Sequence, residues 1–262
     1  MMYKFRDLSI DRSYTPESLP VEALNYGGHW LDREVDGYET LVTKGRQEFT
    51  RQINAAQRSG DGDTYLSSRL ESKKIEVTFV LKSSTIDEYN QRLNKLRQLL
   101  FQPNQPFYFA DNQQYHYVGT ASELTLDKDT LNTTGKIMLT VSDPYQYGGE
   151  KSLSGSGTNL AITDSELSYP QTPKTLIFTP TSTASNLIIT CNDKKIELSV
   201  GVGAGQPVKV DFDNLNVSIN NVDSLMDVTL DSNLSDFLIQ NGSNITFNTT
   251  GNYELTYEVK RL

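Results

Sequence analysis

The chain has 262 residues, of which 36% are hydrophobic and 22% charged, and its net charge is −9. This length suits one large or two ordinary domains, either of which can bury a core without the help of disulfide bonds or bound metals. The acidic balance argues against binding of nucleic acid by phosphate neutralisation, although it leaves a local basic patch open. No run approaches the roughly 18 apolar residues of a membrane span, and the charged start MMYKFRDLS is not typical of a signal peptide.

Strand patterns dominate the first half of the chain and surround one polar stretch. Residues 54–68 are small, charged and glycine-containing, which predicts a mobile polar loop serving as an extended arm or the tip of a hairpin. Alternating apolar and polar residues predict strands at 73–82, 106–111, 115–126 and 135–144.

One helix is predicted, over about residues 85–101. Thr85 and Glu88 have the spacing of a capping box at its start, and Pro103 is expected to stop it. Apolar side chains recur at spacings of three and four and form a single stripe, at Ile86, Tyr89, Leu93, Leu96 and Leu100. The favoured interpretation is a helix packed on a sheet, and a partner-binding helix is the alternative.

The second half has a different composition, rich in Ser, Thr, Asn and Asp. From Gly149 onward it carries 7 basic and 13 acidic residues and no helical pattern of any length. Short β-branched runs separated by turn residues predict an antiparallel sandwich. These runs lie at 174–180, 186–192, 194–200, 206–212, 215–220, 243–249 and 252–260. The Gly/Ser-rich and then Pro-bearing stretch 148–173 is interpreted as a junction between two domains.

Patterns that support catalysis or metal binding are weak. His29 and His116 are isolated, and neither a metalloprotease motif nor a paired-cysteine motif occurs. The lone Cys191 ends an apolar strand, where a buried structural thiol is the favoured interpretation, and it cannot form an internal disulfide, which favours synthesis in a reducing cytoplasm. We therefore predict no catalytic residue, no metal ligand and no cofactor.

Two further patterns are interpreted as turns. The acidic pairs at 61–63, 127–129 and 211–213 do not continue into a calcium-loop pattern, so each is a turn or a solvated strand face. The glycine-rich run 201–207 precedes a strand rather than a helix, which argues against a nucleotide loop and predicts a hairpin turn.

The segment SDPYQYGG, residues 142–149, allows two interpretations. The first is an active-site acid, Asp143, beside a sugar-stacking platform of two tyrosines. The second, which we favour, is a hinge between domains, because a proline ends the preceding strand and biases Asp143 towards an extended conformation, while two glycines supply the freedom to turn. The predicted hinge comprises Asp143, Pro144, Tyr145, Tyr147, Gly148 and Gly149.

The order of segments along the whole chain carries a resemblance. The first half runs through YKFRDLSI, GHWLDREVDGYETL, KKIEVTFVLK, IDEYNQRLNKLRQLLF, QPFYFADNQQYHYVG and GKIMLTVSDPYQYG. The second half runs through NLAITDSELSYPQTPKTLIFTP, NLIITCNDKKIELSV, QPVKVDFDNLNVSINN, NGSNITFN and NYELTYEVKRL. Each motif is weak alone, but their order, spacing and total length resemble the siphovirus distal tail protein family, also called the Sipho-tail phage tail component.

This resemblance implies a mainly β fold with two domains. The first, residues 1–148, is a β-sandwich with one helix that forms a ring-shaped belt. The second, residues 149–262, is a β-sandwich similar to galectins and carbohydrate-binding modules, and it serves as an attachment platform. A first strand, YKFRDLSI, opens the N-terminal domain.

The resemblance also implies a non-enzymatic structural role at the distal end of a long non-contractile phage tail, in the virion. Six copies form a ring, and one ring or two stacked rings both remain open. The implied partners are the tail tube, tail tip and tape measure proteins and receptor-binding or baseplate proteins, while phage DNA only passes through the channel. Arg58, Asp61, Asp63 and Tyr65 of the polar arm are the candidates for contact with a neighbouring subunit.

Two other functions stay open at this point. Fourteen tyrosines in a β-rich chain are compatible with a carbohydrate-binding adhesion module that acts through the C-terminal sandwich. A glycoside hydrolase would need a pair of essential carboxylates, which spacing in a sequence does not identify.

Overall fold

The computed structural model describes residues 19–127 and 131–262, so the predicted opening strand YKFRDLSI and Asp129 lie outside the described residues. The chain divides into two compact units, one of residues up to Pro144 and one of Tyr145–Arg261. Each unit is mainly β, which confirms the predicted fold class. The predicted boundary between Gly148 and Gly149 falls inside the first strand of the second unit.

The first unit contains nine strands and two helices among the described residues. They are β1 (Leu24–Tyr26), β2 (His29–Trp30), α1 (Leu31–Glu34), β3 (Tyr38–Lys44), β4 (Arg51–Gln57), β5 (Asp63–Leu70), β6 (Lys73–Lys82), α2 (Ile86–Leu100), β7 (Gln105–Phe109), β8 (Asn112–Leu126) and β9 (Asn132–Val141). β6 has the predicted bounds, and β7, β8 and β9 lie close to theirs.

Two antiparallel sheets in this unit share the long strand β8. The first half of β8 pairs with β7, which pairs with β1 and through it with β2. The second half pairs with β9 in the order β8-β9-β6-β3. Gly119 lies where β8 passes between the sheets, and a Cβ atom there would come 2.7 Å from the Thr140 carbonyl oxygen. Only glycine allows this close approach of two strands.

The helix α2 has the predicted start and contributes its apolar stripe to the core. The Thr85 hydroxyl accepts a hydrogen bond from the Glu88 amide at 3.2 Å, while the Glu88 carboxylate accepts one from the Ser84 amide at 2.9 Å. These two bonds satisfy amide groups that a helix leaves free at its start. Tyr89, Leu93, Leu96 and Leu100 are buried as predicted. Ile86 is exposed, because the first turn of the helix extends beyond the core that the other four contact.

A buried carboxylate joins α1 to β3. Asp32 is almost fully buried, and its two oxygens accept hydrogen bonds from the Thr40 amide and the Thr40 hydroxyl, both at 2.7 Å. Burial raises the pKa of Asp32 to about 6, although both hydrogen bonds favour the charged form. The same burial raises the pKa of the neighbouring Tyr38.

The second unit contains eight strands and one short 3-10 helix. They are β10 (Gln146–Ala161), β11 (Thr175–Pro180), β12 (Leu187–Cys191), β13 (Lys194–Leu198), β14 (Val208–Asp211), β15 (Asn216–Ile219), β16 (Val222–Asp223), the 3-10 helix Leu225–Asp227 and β17 (Asn244–Arg261). The predicted short strands are present, but the last two predicted runs form one continuous strand, β17.

Strand β17 is the centre of the second unit. β10 pairs with one of its edges from Gln146 to Ala161. The other edge pairs with β12 near its start and with β11 further along, and β11 continues the sheet to β14, β15 and β16. Phe178 and Phe247 stack in the core with ring centroids 4.3 Å apart.

Two predictions for this unit are wrong. The interpretation of 148–173 as a junction fails because most of its first half is β10, whose glycines and serines pair with β17. Gly155 lies beneath the ring of Tyr253, so a small residue is required there rather than a flexible one. The run 201–207 is not a hairpin turn, because β13 pairs with β12 whereas β14 pairs with β11 and β15.

Candidate assembly surfaces

The arm is a two-stranded antiparallel hairpin, defined here as residues 51–70. β4 and β5 pair from Arg51 with Leu70 to Gln57 with Asp63, and no other strand in the described parts of the chain pairs with either. The predicted hairpin is confirmed, although residues 54–57 and 63–68 are strand rather than loop. An isolated hairpin is marginally stable in water and leaves two unpaired backbone edges. The arm therefore offers hydrogen-bonding groups along both sides.

Polar pairs across the strands hold the arm in register. The Arg58 side chain donates to the Thr64 hydroxyl at 2.8 Å, and the Arg69 side chain donates to the Gln52 side chain at 2.8 Å. Within β5, the Tyr65 hydroxyl donates to the Ser68 hydroxyl at 2.9 Å. These contacts lie on the arm itself and support the pairing of its two strands.

The four residues predicted for this region all lie on the exposed arm. Arg58 and Asp61 belong to the tip, where Gly62 has a φ of +76°, while Asp63 and Tyr65 belong to β5. All four are exposed, and Tyr65 keeps 62% of its surface in solvent. The structure brings them to one element but does not test their contact with another subunit.

The prediction missed the aliphatic side chains of the arm. Ile53 and Leu66 are more than half exposed, and Phe49 is equally exposed just before β4. The register pairs Ile53 with Ser68 and Ala55 with Tyr65, so Ile53 and Tyr65 share one face of the hairpin. The sequence does contain a signal for this surface, because apolar residues alternate with polar ones in a segment predicted to be mobile. Exposed apolar side chains beside free strand edges are typical of a surface that a partner covers.

The base of the arm is anchored through Arg46. Its guanidinium forms two hydrogen bonds with the Asp111 carboxylate, at 2.9 and 2.7 Å, and lies 4.2 Å from the centroid of Phe109. Its carbonyl oxygen accepts hydrogen bonds from the Tyr117 hydroxyl at 2.8 Å and from the Lys73 ammonium at 3.1 Å. Burial lowers the pKa of Lys73. These contacts tie the residues on both sides of the arm to the sheets and so fix the place where the arm leaves them.

The segment 142–149 has a different conformation from the predicted one. Gly148 and Gly149 lie within β10, where one extra residue relative to β17 makes a β-bulge rather than a turn. The Lys260 ammonium lies 5.4 Å from the ring centroids of both Tyr145 and Tyr147. Because this cation occupies a face of each ring, the two tyrosines do not form an open stacking platform. A hinge role for Asp143, Pro144 and Tyr145 stays a prediction.

The residues considered for chemistry have structural partners. His29 contacts the Glu34 carboxylate at 2.7 Å on the surface, and Asp211 accepts a hydrogen bond from the Asn214 amide at 3.0 Å in a turn. Cys191 is buried, which raises the pKa of its thiol and confirms the predicted structural cysteine. Within residues 19–127 and 131–262, no cluster of three or more metal-binding side chains forms.

Comparison with known families decides the identity. Residues 39–141 match the phage tail protein RIFT-related domain, and residues 169–260 match the C-terminal domain of the siphovirus-type tail component. The chain belongs to the siphovirus-type tail component family. Both domains of this tail component therefore occur here in sequence, as the resemblance implied, and the protein is a component of the phage tail and of the virion.

One solved structure agrees with this fold over nearly the whole chain. The Dit protein (gp 19.1) of phage SPP1, described as a hub of the adsorption apparatus in phages that infect Gram-positive bacteria, superposes with a TM-score of 0.74 and 17% identity over 91% of this chain and 99% of its own. The baseplate of phage P2 in its activated conformation with calcium gives a TM-score of 0.44 and 8% identity over 84% and 90%, which is too low to carry an argument. Among curated proteins, none matches this chain.

One further observation concerns membranes. Among the helices of the described residues, none has the length and apolar character needed to cross a lipid bilayer.

Proposed function

We propose that this tail component acts without catalysis, as a ring of six copies at the distal end of the tail, and that the arm makes the contact between neighbouring copies. In such a ring one copy presents two different surfaces around a rotation axis. The arm supports this role because it combines two free strand edges with exposed Ile53, Tyr65 and Leu66. A neighbour that pairs with an arm edge would satisfy the backbone groups and cover the apolar face together.

The ring would connect the tail tube to the tail tip, with the tape measure protein and receptor-binding or baseplate proteins as further partners, and the phage DNA would only pass through its channel. The net charge of −9 suits this passage, because like charges reduce adhesion of DNA to the wall. We propose synthesis and assembly in the host cytoplasm, where the lone Cys191 stays reduced.

The mass in solution tests the ring. Light scattering on the full chain is expected to give a multiple of the 29.4 kDa chain that corresponds to six copies, with six-fold rings in negative-stain images. Ile53→Asp places a charge on the apolar face of the arm and is expected to shift the mass towards one copy. Ser67→Asp adds the same charge on the other face and serves as the matched control.

Two results would overturn the proposal. One is a wild-type protein that stays at the mass of a single chain both alone and when co-expressed with the tail tube and tail tip proteins of the same phage. The other is an Ile53→Asp variant that assembles as the wild type does.

A further inference from the structure

A second exposed apolar surface lies in the C-terminal unit, remote in sequence from the arm. Val222, Leu225, Met226 and Leu230, defined here as the apolar ridge, all expose their side chains within nine residues. Met226 and Leu230 have exposures of 96% and 106%, so they contact almost nothing in their own unit. Single exposed aliphatic residues are normal, but four in one short segment are typical of an interaction site.

The backbone holds the apolar ridge in place at both ends. The Ser224 amide donates to the Val217 carbonyl of β15 at 2.8 Å. The Thr229 amide donates to the Glu197 carbonyl of β13, and the amide of Ser199, directly after β13, donates to the Asp227 carbonyl, each at 2.9 Å. The exposure of the ridge is therefore fixed by hydrogen bonds to two strands. A preformed surface loses less conformational entropy when it binds a partner.

The surroundings of the ridge are acidic. Residues 210–259 contain eight acidic side chains and not one lysine, arginine or histidine. Asp223 and Asp227 lie within the ridge, and Asp231 follows it directly. The Lys195 ammonium is bound to Asp231 at 2.5 Å and to Glu197 at 2.9 Å. Asp223 and Asp227 thus place negative charge beside the aliphatic side chains.

This combination of charge and side chains selects the class of partner. A contact of the ridge with the ridge of a second copy would bring two acidic surfaces together, and DNA or an anionic membrane would also be repelled. The ridge contains no aromatic ring on which a sugar could stack. A protein surface with aliphatic side chains inside a rim of lysine and arginine satisfies both the apolar groups and the aspartates.

We propose that the apolar ridge is a docking surface for another protein of the virion, one that presents aliphatic side chains within a basic rim. This inference rests on the proposed function for the origin of the partner, but it does not depend on the formation of a ring by the arm.

Binding to purified tail proteins tests the ridge. The probes are the individually purified tail tip, baseplate and receptor-binding proteins of the same phage, and the immobilised protein is the full chain. One of them is expected to bind, with faster association at low salt because the charges attract. Leu230→Asp is expected to weaken that binding by roughly tenfold or more. Leu215→Asp makes the same change in the turn before β15, outside the ridge, and is expected to bind as the wild type does.

Three outcomes overturn the inference. The first is that no tail protein binds the wild type more tightly than about 10 µM. The second is that Leu230→Asp and the wild type bind equally well. The third is that Leu230→Asp changes the self-assembled mass, which would make the ridge a contact between copies. If the wild type does not form the six-copy assembly but still binds a tail protein through the ridge, only the proposed ring is overturned.

Discussion

Gly251 of β17 lies directly against the ring of Phe178 in β11. A Cβ atom on Gly251 would come 2.5 Å from Phe178 Cζ and equally close to the Thr179 carbonyl oxygen. The ring cannot move away freely, because it stacks on Phe247 with an angle of 13° between the planes. The absence of a side chain at one position in β17 thus lets the aromatic stack fill the core of the C-terminal unit.

Gly251→Ala is therefore expected to destabilise the C-terminal unit by about 1–3 kcal/mol through overpacking. Gly149→Ala is the matched control, because nothing lies within 4 Å of a Cβ atom there. It is expected to stay within about 1 kcal/mol of the wild type. Urea unfolding followed by circular dichroism measures both. Equal stability of the two variants would contradict the packing argument.

The buried Asp32 is expected to make stability depend on pH. Its folded pKa of about 6 lies above the usual 3.8, so the folded state retains a proton that the unfolded state loses between these values. The contribution of Asp32 to stability is therefore present below about pH 4 and is lost as pH rises to about 6, by on the order of 3 kcal/mol.

Asp32→Asn removes this titration and keeps an acceptor for the Thr40 amide. Its stability relative to the wild type is expected to increase between about pH 4 and pH 7. Asp32→Ala leaves the Thr40 amide without its acceptor and is expected to cost about 1–3 kcal/mol. Trp30, the single tryptophan, packs edge-on against Tyr108 and provides the fluorescence signal for the N-terminal unit. A constant difference between Asp32→Asn and wild type across this range would rule out the raised pKa.

Cys191 is expected to resist thiol reagents in the folded protein. It is buried, its pKa is raised by burial, and its thiol lies 3.4 Å from the Leu238 carbonyl oxygen. Reaction then requires opening of the C-terminal unit. Labelling with Ellman's reagent should be slow in buffer and fast in urea. Equal rates would show that the thiol is accessible in the folded state.

Local signals in the sequence predicted the elements that depend on local contacts. The helix α2 followed from the spacing of Leu93, Leu96 and Leu100 and from the Thr85 cap, all within one segment. The arm was predicted from the small, charged and glycine-containing residues of 54–68, although most of that stretch is strand rather than loop. In strands β6 to β9 apolar and polar residues alternate, because each strand packs one face on the core.

The errors arose where distant residues decide the structure. β10 resembles a linker in composition, and it becomes a strand because β17, about a hundred residues later, supplies its partner and the ring that covers Gly155. The sequence predicts a hairpin at 201–207 because the strands on either side are adjacent in the chain, although each of them pairs with another strand. The exposed aliphatic residues of the arm and of the apolar ridge were missed because exposure is a property of the fold.

The pairing of β10 with β17 has a consequence for synthesis. β17 completes the C-terminal unit by joining β10, β11 and β12, so none of these strands has its full set of neighbours until residue 261 has been translated. The N-terminal sheet β8-β9-β6-β3 has no such delay, because its pairings form among residues 38–141. Nascent chains on the ribosome are thus expected to carry a folded first unit and an unpaired second one, which is the state in which premature aggregation would occur.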